Sequence, residues 1–150
     1  MQSEKTDERK RMAAKKSIEV VAAVIYWEDK ILCMQRGQNQ RAYISEKWEF
    51  PGGKIEDYES QETALKREIL EELHLAIEIK SPILTVHHEY PDFNLIMHAF
   101  ECHTNEDNEP IITRTEHLDH LWLNPCEPSF RSLDWAGADI PIVAVLAEST

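Results

Sequence analysis

The sequence predicts one α+β domain. Short apolar, β-rich runs recur along the chain, and they surround a single acidic amphipathic helix, an order that is neither regular βαβ alternation nor all β. Size agrees, since 150 residues with 42% hydrophobic content suffice for one sizeable core.

Ile18 to Trp27 is an apolar run, Glu28-Asp29-Lys30 is turn-like, and Ile31 to Gln35 resumes a strand, so the first two strands are expected to form a hairpin. Arg36 follows directly. The polar stretch 37–47 leads as a loop to a short Trp48-Glu49-Phe50 strand and a Pro51-Gly52-Gly53-Lys54 turn. A helix is expected from about Ser60, its N-cap, to His74. Strands follow at about 76–79, 83–90 and 94–102, the last two joined through Pro91-Asp92-Phe93 with proline as the first corner. Residues 105–110 read as a polar connection, 120–123 as a strand and 125–132 as irregular chain. A terminal helix from Asp139 to Glu148 carries Pro141 in its first turn.

Chemistry concentrates between Gly53 and Leu75, GKIEDYESQETALKREILEELHL. At ~100° per helical residue, Glu68, Glu71 and Glu72 fall within roughly 100° of one another, while Leu65, Ile69, Leu70 and Leu73 fill the adjoining arc. Carboxylates and core residues therefore take separate faces. Three like charges packed so closely repel unless a cation sits among them, and hard oxygen ligands suit Mg²⁺ or Mn²⁺. An ordinary solvated acidic helix would lack the Pro-Gly-Gly turn, whose glycines let backbone approach a ligand closely.

The segment resembles the signature of the Nudix hydrolases: Gly, five residues, Glu, seven residues, Arg-Glu, an apolar residue, any residue, Glu-Glu, any residue, Gly, an apolar residue. Gly53, Glu59, Arg67, Glu68, Ile69, Glu71, Glu72 and Leu75 satisfy it, and only the final glycine departs, being His74. A glycine there would serve as a left-handed cap, so His74 is expected to cost at most about 1 kcal/mol and to leave the acids untouched. The resemblance runs from about Ile18 to Leu146 and implies a mixed-sheet α/β/α sandwich, the Nudix fold with its loop-helix-loop.

It also implies a site. The Gly52 carbonyl with Glu68, Glu71 and Glu72 would hold metal, Gly53 would shape the turn, and Arg67 would orient the cluster through Glu59. Glu68 is the first choice for general base and Glu116 the second, because members of the superfamily differ in which glutamate takes that role. Glu116 lies six residues before Trp122, a spacing similar to that of the loop glutamate completing the metal shell in MutT-like members. Arg36 ends the second strand where such members place a phosphate-binding arginine, and Lys54 directly follows the glycines, so both are candidate phosphate contacts.

Trp48 to Lys54 is similar to the MutT-like branch, whose members cleave nucleoside triphosphates to monophosphate and pyrophosphate by attack at the β-phosphorus. Within it, Ile18 to Ala23 and Ala138-Asp139-Ile140-Pro141 resemble the CTP pyrophosphohydrolase group. The 8-oxoguanine-sanitising members carry asparagine at the position of Asp139, donor and acceptor at once, whereas an ionised aspartate only accepts and suits cytosine N4. Burial would change this, because a protonated Asp139 donates as well and readmits oxidised guanine. Asp139 could equally cap the terminal helix. Tyr90 is expected to stack the base or, with Phe93, to join the hairpin core. The expected reaction is Mg²⁺-dependent hydrolysis of CTP, dCTP or a 5-modified dCTP, with 8-oxo-dGTP as the chief rival. A dinucleotide or ADP-ribose hydrolase is a further alternative, opposed by the 48–54 stretch. A non-catalytic module binding a modified base is another, opposed by the intact Glu68, Glu71 and Glu72.

The net charge of −12 argues against a nucleic-acid polymer or an anionic membrane as partner. Residues 1–16 hold six basic against three acidic residues and read as a flexible N-terminal tail, leaving 17–150 as the Nudix domain. The tail lacks the apolar run of a signal peptide, and no stretch approaches the ~18 apolar residues of a membrane span, so a cytoplasmic protein is expected, monomeric or homodimeric. Cys33, Cys102 and Cys126 are widely spaced and form no Cys-x-x-Cys pair, so buried reduced thiols are expected. His87-His88 and His117-x-x-His120 lack a partnering cysteine and read as surface or core histidines, not zinc ligands.

Overall fold

The computed structural model describes residues 15–113 and 116–148. Of the tail expected at 1–16, residues 1–14 fall outside the described residues, whereas Lys15 pairs with Glu89 at 2.7 Å and Lys16 opens the first strand. In chain order the elements are β1 (Lys16–Trp27), β2 (Lys30–Arg36), β3 (Trp48–Glu49), β4 (Gly52–Lys54), α1 (Gln61–Leu73), β5 (Glu78–Glu89), β6 (Phe93–His103), β7 (His117–Leu123), α2 (Pro128–Ser132), a 3₁₀ turn (Gly137–Asp139) and α3 (Ile140–Glu148).

Among the described residues the strands make one mixed sheet in the order β3-β2-β1-β6-β5, with β4 paired to β1 and β7 to β2. Strand β1 is the pivot. It runs parallel to β6 from Lys16↔Phe93 to Tyr26↔His103. Its other edge is shared: β2 pairs at Tyr26↔Ile31 and Trp27↔Lys30, and β4 at Val20↔Lys54, Val21↔Gly53 and Ala22↔Gly52. The expected β1–β2 hairpin therefore closes at its turn and then spreads, because β4 takes the rest of the edge.

Alternation along β1 feeds two cores. Val21, Ala23 and Ile25 pack with Ala64, Leu65, Ile69 and Leu73 of α1, whereas Ala22 and Val24 pack with Phe130 of α2 and Ile142, Val143 and Leu146 of α3. One helix covers one face and two cover the other, giving the expected sandwich. No helix among the described residues is long and apolar enough to cross a membrane.

Several elements differ from the sequence reading. Strand β4 replaces an expected turn, and the two strands expected at 76–79 and 83–90 fuse into β5. Register shifts between Ile79 and Ser81 and between Pro82 and Leu84 absorb a proline that has no amide proton for the ladder. Strand β7 starts at His117, three residues early, and the chain expected to be irregular at 128–132 forms α2 with Pro128 in its first turn. Helix α3 starts at Ile140 because Asp139 closes the 3₁₀ turn. Leu70 lies on the exposed side of α1, outside the core. All three cysteines are free thiols, Cys33 and Cys102 buried as expected but Cys126 exposed.

Helix α1 starts and stops as its sequence dictates. The Ser60 hydroxyl accepts from the Thr63 amide at 3.1 Å, and His74 takes a left-handed conformation at φ 52°, its amide donating to the Leu70 carbonyl at 3.0 Å. Because a side chain resists that conformation, His74→Gly is expected to raise the unfolding free energy by about 1 kcal/mol. Urea denaturation reads it as a higher midpoint at unchanged slope, and a lower midpoint would refute it.

Candidate active site

The site begins at a glycine elbow wedged between two elements. A Cβ on Gly52 would lie 1.9 Å from the Val21 carbonyl oxygen, and a Cβ on Gly53 would lie 2.3 Å from the carboxyl of Glu68. Only glycine lets β4 lie against β1 on one side and admit a carboxylate of α1 on the other. Arg67 braces the same corner. Its Nε and Nη2 donate to the two oxygens of Glu59 at 2.7 and 2.8 Å, and its Nη1 donates to Glu68 Oε1 at 3.0 Å and Glu71 Oε2 at 3.2 Å. Nη2 also donates to the Lys54 carbonyl at 3.2 Å, tying helix to elbow. The hydrogen bond from Arg67 holds the Glu59 carboxyl below the usual carboxylate range.

Beside the elbow opens a cleft of about 370 Å³. Glu49, Glu72 and Glu116 line its acidic end. Burial, and then the charges of Glu68, Glu116 and Glu49, push the Glu72 carboxyl up to about 7 against the opposing influence of His117. Crowding severe enough to make a carboxylate hold a proton near neutrality is what a divalent cation would reverse, and oxygen donors of this kind suit a hard ion. The residues therefore fit such an ion in charge and donor type. Among the described residues, however, no three His, Cys, Asp or Glu side chains close into a ligand set. The charges of Glu68 and Glu116 are felt at Glu72, while Glu71 is outside the cleft lining, its side chain 60% exposed and held by Arg67.

Arg36 and Lys54, the expected phosphate contacts, both line the cleft. Arg36 Nη1 donates to Glu49 Oε1 at 3.3 Å. Asp139, also in the cleft lining, is buried, 5% exposed, and its Oδ1 accepts from the Phe50 amide at 3.0 Å. Burial, reinforced by Glu49, raises its carboxyl well above the usual range. Of the two protonation states the sequence left open, burial favours the neutral acid, because the Phe50 amide does not make up for the lost water.

Tyr90 belongs to the hairpin core as well as to the cleft wall. Its hydroxyl accepts from the Ala138 amide at 3.1 Å. Its ring stacks on Tyr43 at 5.0 Å and lies 4.3 Å from His88 and 5.0 Å from Phe93. Three lining residues escaped the sequence reading: Glu49, Arg41 and His117. Glu49 sits inside the quoted Trp48 to Lys54 stretch and His117 directly follows Glu116, and those positions were the available signals. Arg41 had none, for its place over the Phe93 ring at 5.5 Å depends on how the 37–47 loop folds back.

The NUDIX domain family matches residues 16–145. CTP pyrophosphohydrolase of Escherichia coli (strain K12) is 36% identical over 129 residues, spanning 85% of this chain and 90% of that protein. 8-oxo-dGTP diphosphatase of Proteus vulgaris is 34% identical over 90 residues, 59% of this chain and 79% of the relative. Among solved structures, MutT from methicillin-resistant Staphylococcus aureus 252 superposes with a TM-score of 0.67 at 36% identity, covering 91% of this chain and 99% of that one. A glycine elbow pressed on Glu68, an arginine-braced acidic helix and a family match from β1 into α3 agree: this chain belongs to the Nudix hydrolases.

Proposed function

We propose that this enzyme hydrolyses CTP, dCTP or a 5-substituted dCTP to the nucleoside monophosphate and pyrophosphate, with Mg²⁺ as its cofactor. Nudix hydrolases act on nucleotides with divalent cations, and the cleft has the charge layout such a substrate needs. The observation that carries the base assignment is buried Asp139. A neutral carboxylic acid offers an O–H donor beside a carbonyl acceptor, the complement of N3 and the N4 amine on cytosine. The similarity to the E. coli CTP pyrophosphohydrolase favours the same base.

In this reading the Gly52 carbonyl, Glu68, Glu71, Glu72 and Glu116 would hold the metal. The ion would neutralise triphosphate charge and acidify the attacking water. Glu68, seated on the elbow and fixed by Arg67, would accept a proton from the attacking water, and Glu116 is the alternative base. Arg36 and Lys54 bind the phosphates, while Asp139 and Tyr90 bound the base pocket. Oxidation of guanine supports a second reading. A neutral Asp139 also complements O6 and the N7–H of 8-oxoguanine but not guanine, whose N7 and O6 both accept, and the Proteus vulgaris relative points the same way.

A panel of CTP, dCTP, 5-methyl-dCTP, 8-oxo-dGTP and dGTP, assayed for pyrophosphate with Mg²⁺ and with Mn²⁺, is expected to give the highest kcat/KM for a cytidine nucleotide. Preference for 8-oxo-dGTP over every cytidine substrate would select the second reading. Glu72→Gln and Glu71→Gln are each expected to lower kcat by roughly 100-fold or more while the fold, read by circular dichroism, persists; full activity in both variants would defeat the metal assignment. A pH dependence follows from Glu72. Its folded-state value of about 7 exceeds the ordinary 4.5 of a glutamate, so the fold binds the proton more tightly and this group's stabilising contribution is lost as pH rises from 4.5 through 7. Metal binding needs the carboxylate, so Mg²⁺ is expected to raise the melting temperature more at pH 8 than at pH 5.5. An equal rise at both pH values would contradict it.

A further inference from the structure

Arg36, Glu49 and His117 come from three neighbouring strands, β2, β3 and β7, and meet at one wall of the cleft. A β-bulge makes the meeting possible. Register along β2 and β7 steps from Gln35↔Asp119 to Arg36↔His117, which leaves Leu118 as the extra residue. Without that insertion Leu118 would stand opposite Arg36, so the bulge re-aims a histidine towards the site. Glu49 lies between the other two side chains. Its Oε1 accepts from Arg36 Nη1 at 3.3 Å, and its Oε2 faces His117 Nε2 at 3.4 Å.

We propose that His117 is a positioning residue: it holds Glu49, and through Glu49 it aims the Arg36 guanidinium at the polyphosphate. The Arg36 side chain is 45% exposed, whereas that of Glu49 is 20% and that of His117 only 6%. Order thus runs from a buried anchor outward to a mobile cation, and a cation aimed in advance loses less freedom when the nucleotide binds. Nε2 donates to the carboxylate, and Nδ1 is buried with no hydrogen-bond partner among the described residues. A residue kept only to fill space would not leave a buried nitrogen unpaired, since an apolar side chain of similar shape would fill it at lower cost. The bond to Glu49 is what the imidazole supplies and a hydrocarbon does not. This assignment rests on the cleft being the nucleotide site, with Arg36 on the phosphates.

The test combines steady-state kinetics on the preferred nucleotide with a double-mutant cycle. His117→Phe keeps a ring and loses the donor, and is expected to raise KM by about 10-fold with kcat changed by less than about 3-fold. His117→Gln restores an N–H near the position of Nε2 and is expected to recover most of that loss. In an Arg36→Ala background His117→Phe is expected to add less than about 2-fold, because its effect passes through the arginine. Additive losses, a defect confined to kcat, or a glutamine variant no better than phenylalanine would each overturn the assignment. A second measurement needs no turnover. Imidazole ¹⁵N shifts in the wild-type protein are expected to show the Nε2–H tautomer of His117, and Glu49→Ala is expected to abolish that preference. An Nδ1–H tautomer, or one indifferent to Glu49, would overturn the proposal, whereas failure of every nucleotide in the panel would fall on the functional reading instead.

Discussion

The contact between the Gly53 backbone and the Glu68 carboxylate is the constraint around which the molecule is arranged. It requires β4 to lie flat against β1, with no side chain between them, and α1 to cross with its acidic stripe turned to the elbow. Once β4 occupies that length of β1, β2 must diverge after two residue pairs, and its freed edge takes β3 at Met34 and Gln35 while β7 pairs along its other edge. Glu49 reaches the cleft from that borrowed position. A single close approach, permitted by two missing side chains, therefore decides where β3 docks.

Electrostatics sets the other boundary. Carboxyls are gathered around Glu72 until it holds a proton near neutrality, and Asp139 is buried in the same cleft against the Phe50 amide. Neither arrangement favours the empty fold. Both make sense as preparation for binding, because mutual repulsion is relieved by a cation and a buried acid is satisfied by a complementary ring edge. Arg67 keeps the arrangement tolerable. It engages Glu59, Glu68, Glu71 and the Lys54 carbonyl, so some of the negative charge is already compensated before any ion arrives.

What could be read from the sequence was whatever follows a local period. The carboxylates and the apolar residues of α1 both obey 3.6-residue spacing, and Ser60 and His74 mark its ends by capping chemistry, so helix, caps and acidic stripe were legible. Residues of β1 alternate between two cores, and the strand was legible for the same reason. Strand β4 was not. Two glycines and a lysine carry no strand preference, and they pair only because β1 offers an open edge. Leu118 gives no local sign that it will bulge, and without the bulge His117 looks like any surface histidine. Burial of Asp139 depends on Phe50, far away in the chain, so its protonation could be named as a condition but not decided. Leu70 shows the reverse error, an apolar residue on a helix that the core does not reach.

The parallel pairing of β1 with β6 has a kinetic side. Its first ladder pair joins Lys16 to Phe93, so a long loop containing β2, β3, β4, α1 and β5 must be gathered before the central ladder can zip. Loop-closure entropy opposes such distant contacts, and chains dominated by them cross slow barriers to the native state. The elbow has one face on β1 and cannot be locked until that strand is held. Assembly of the site therefore depends on contacts distant in sequence as well as on the helix that bears the acids.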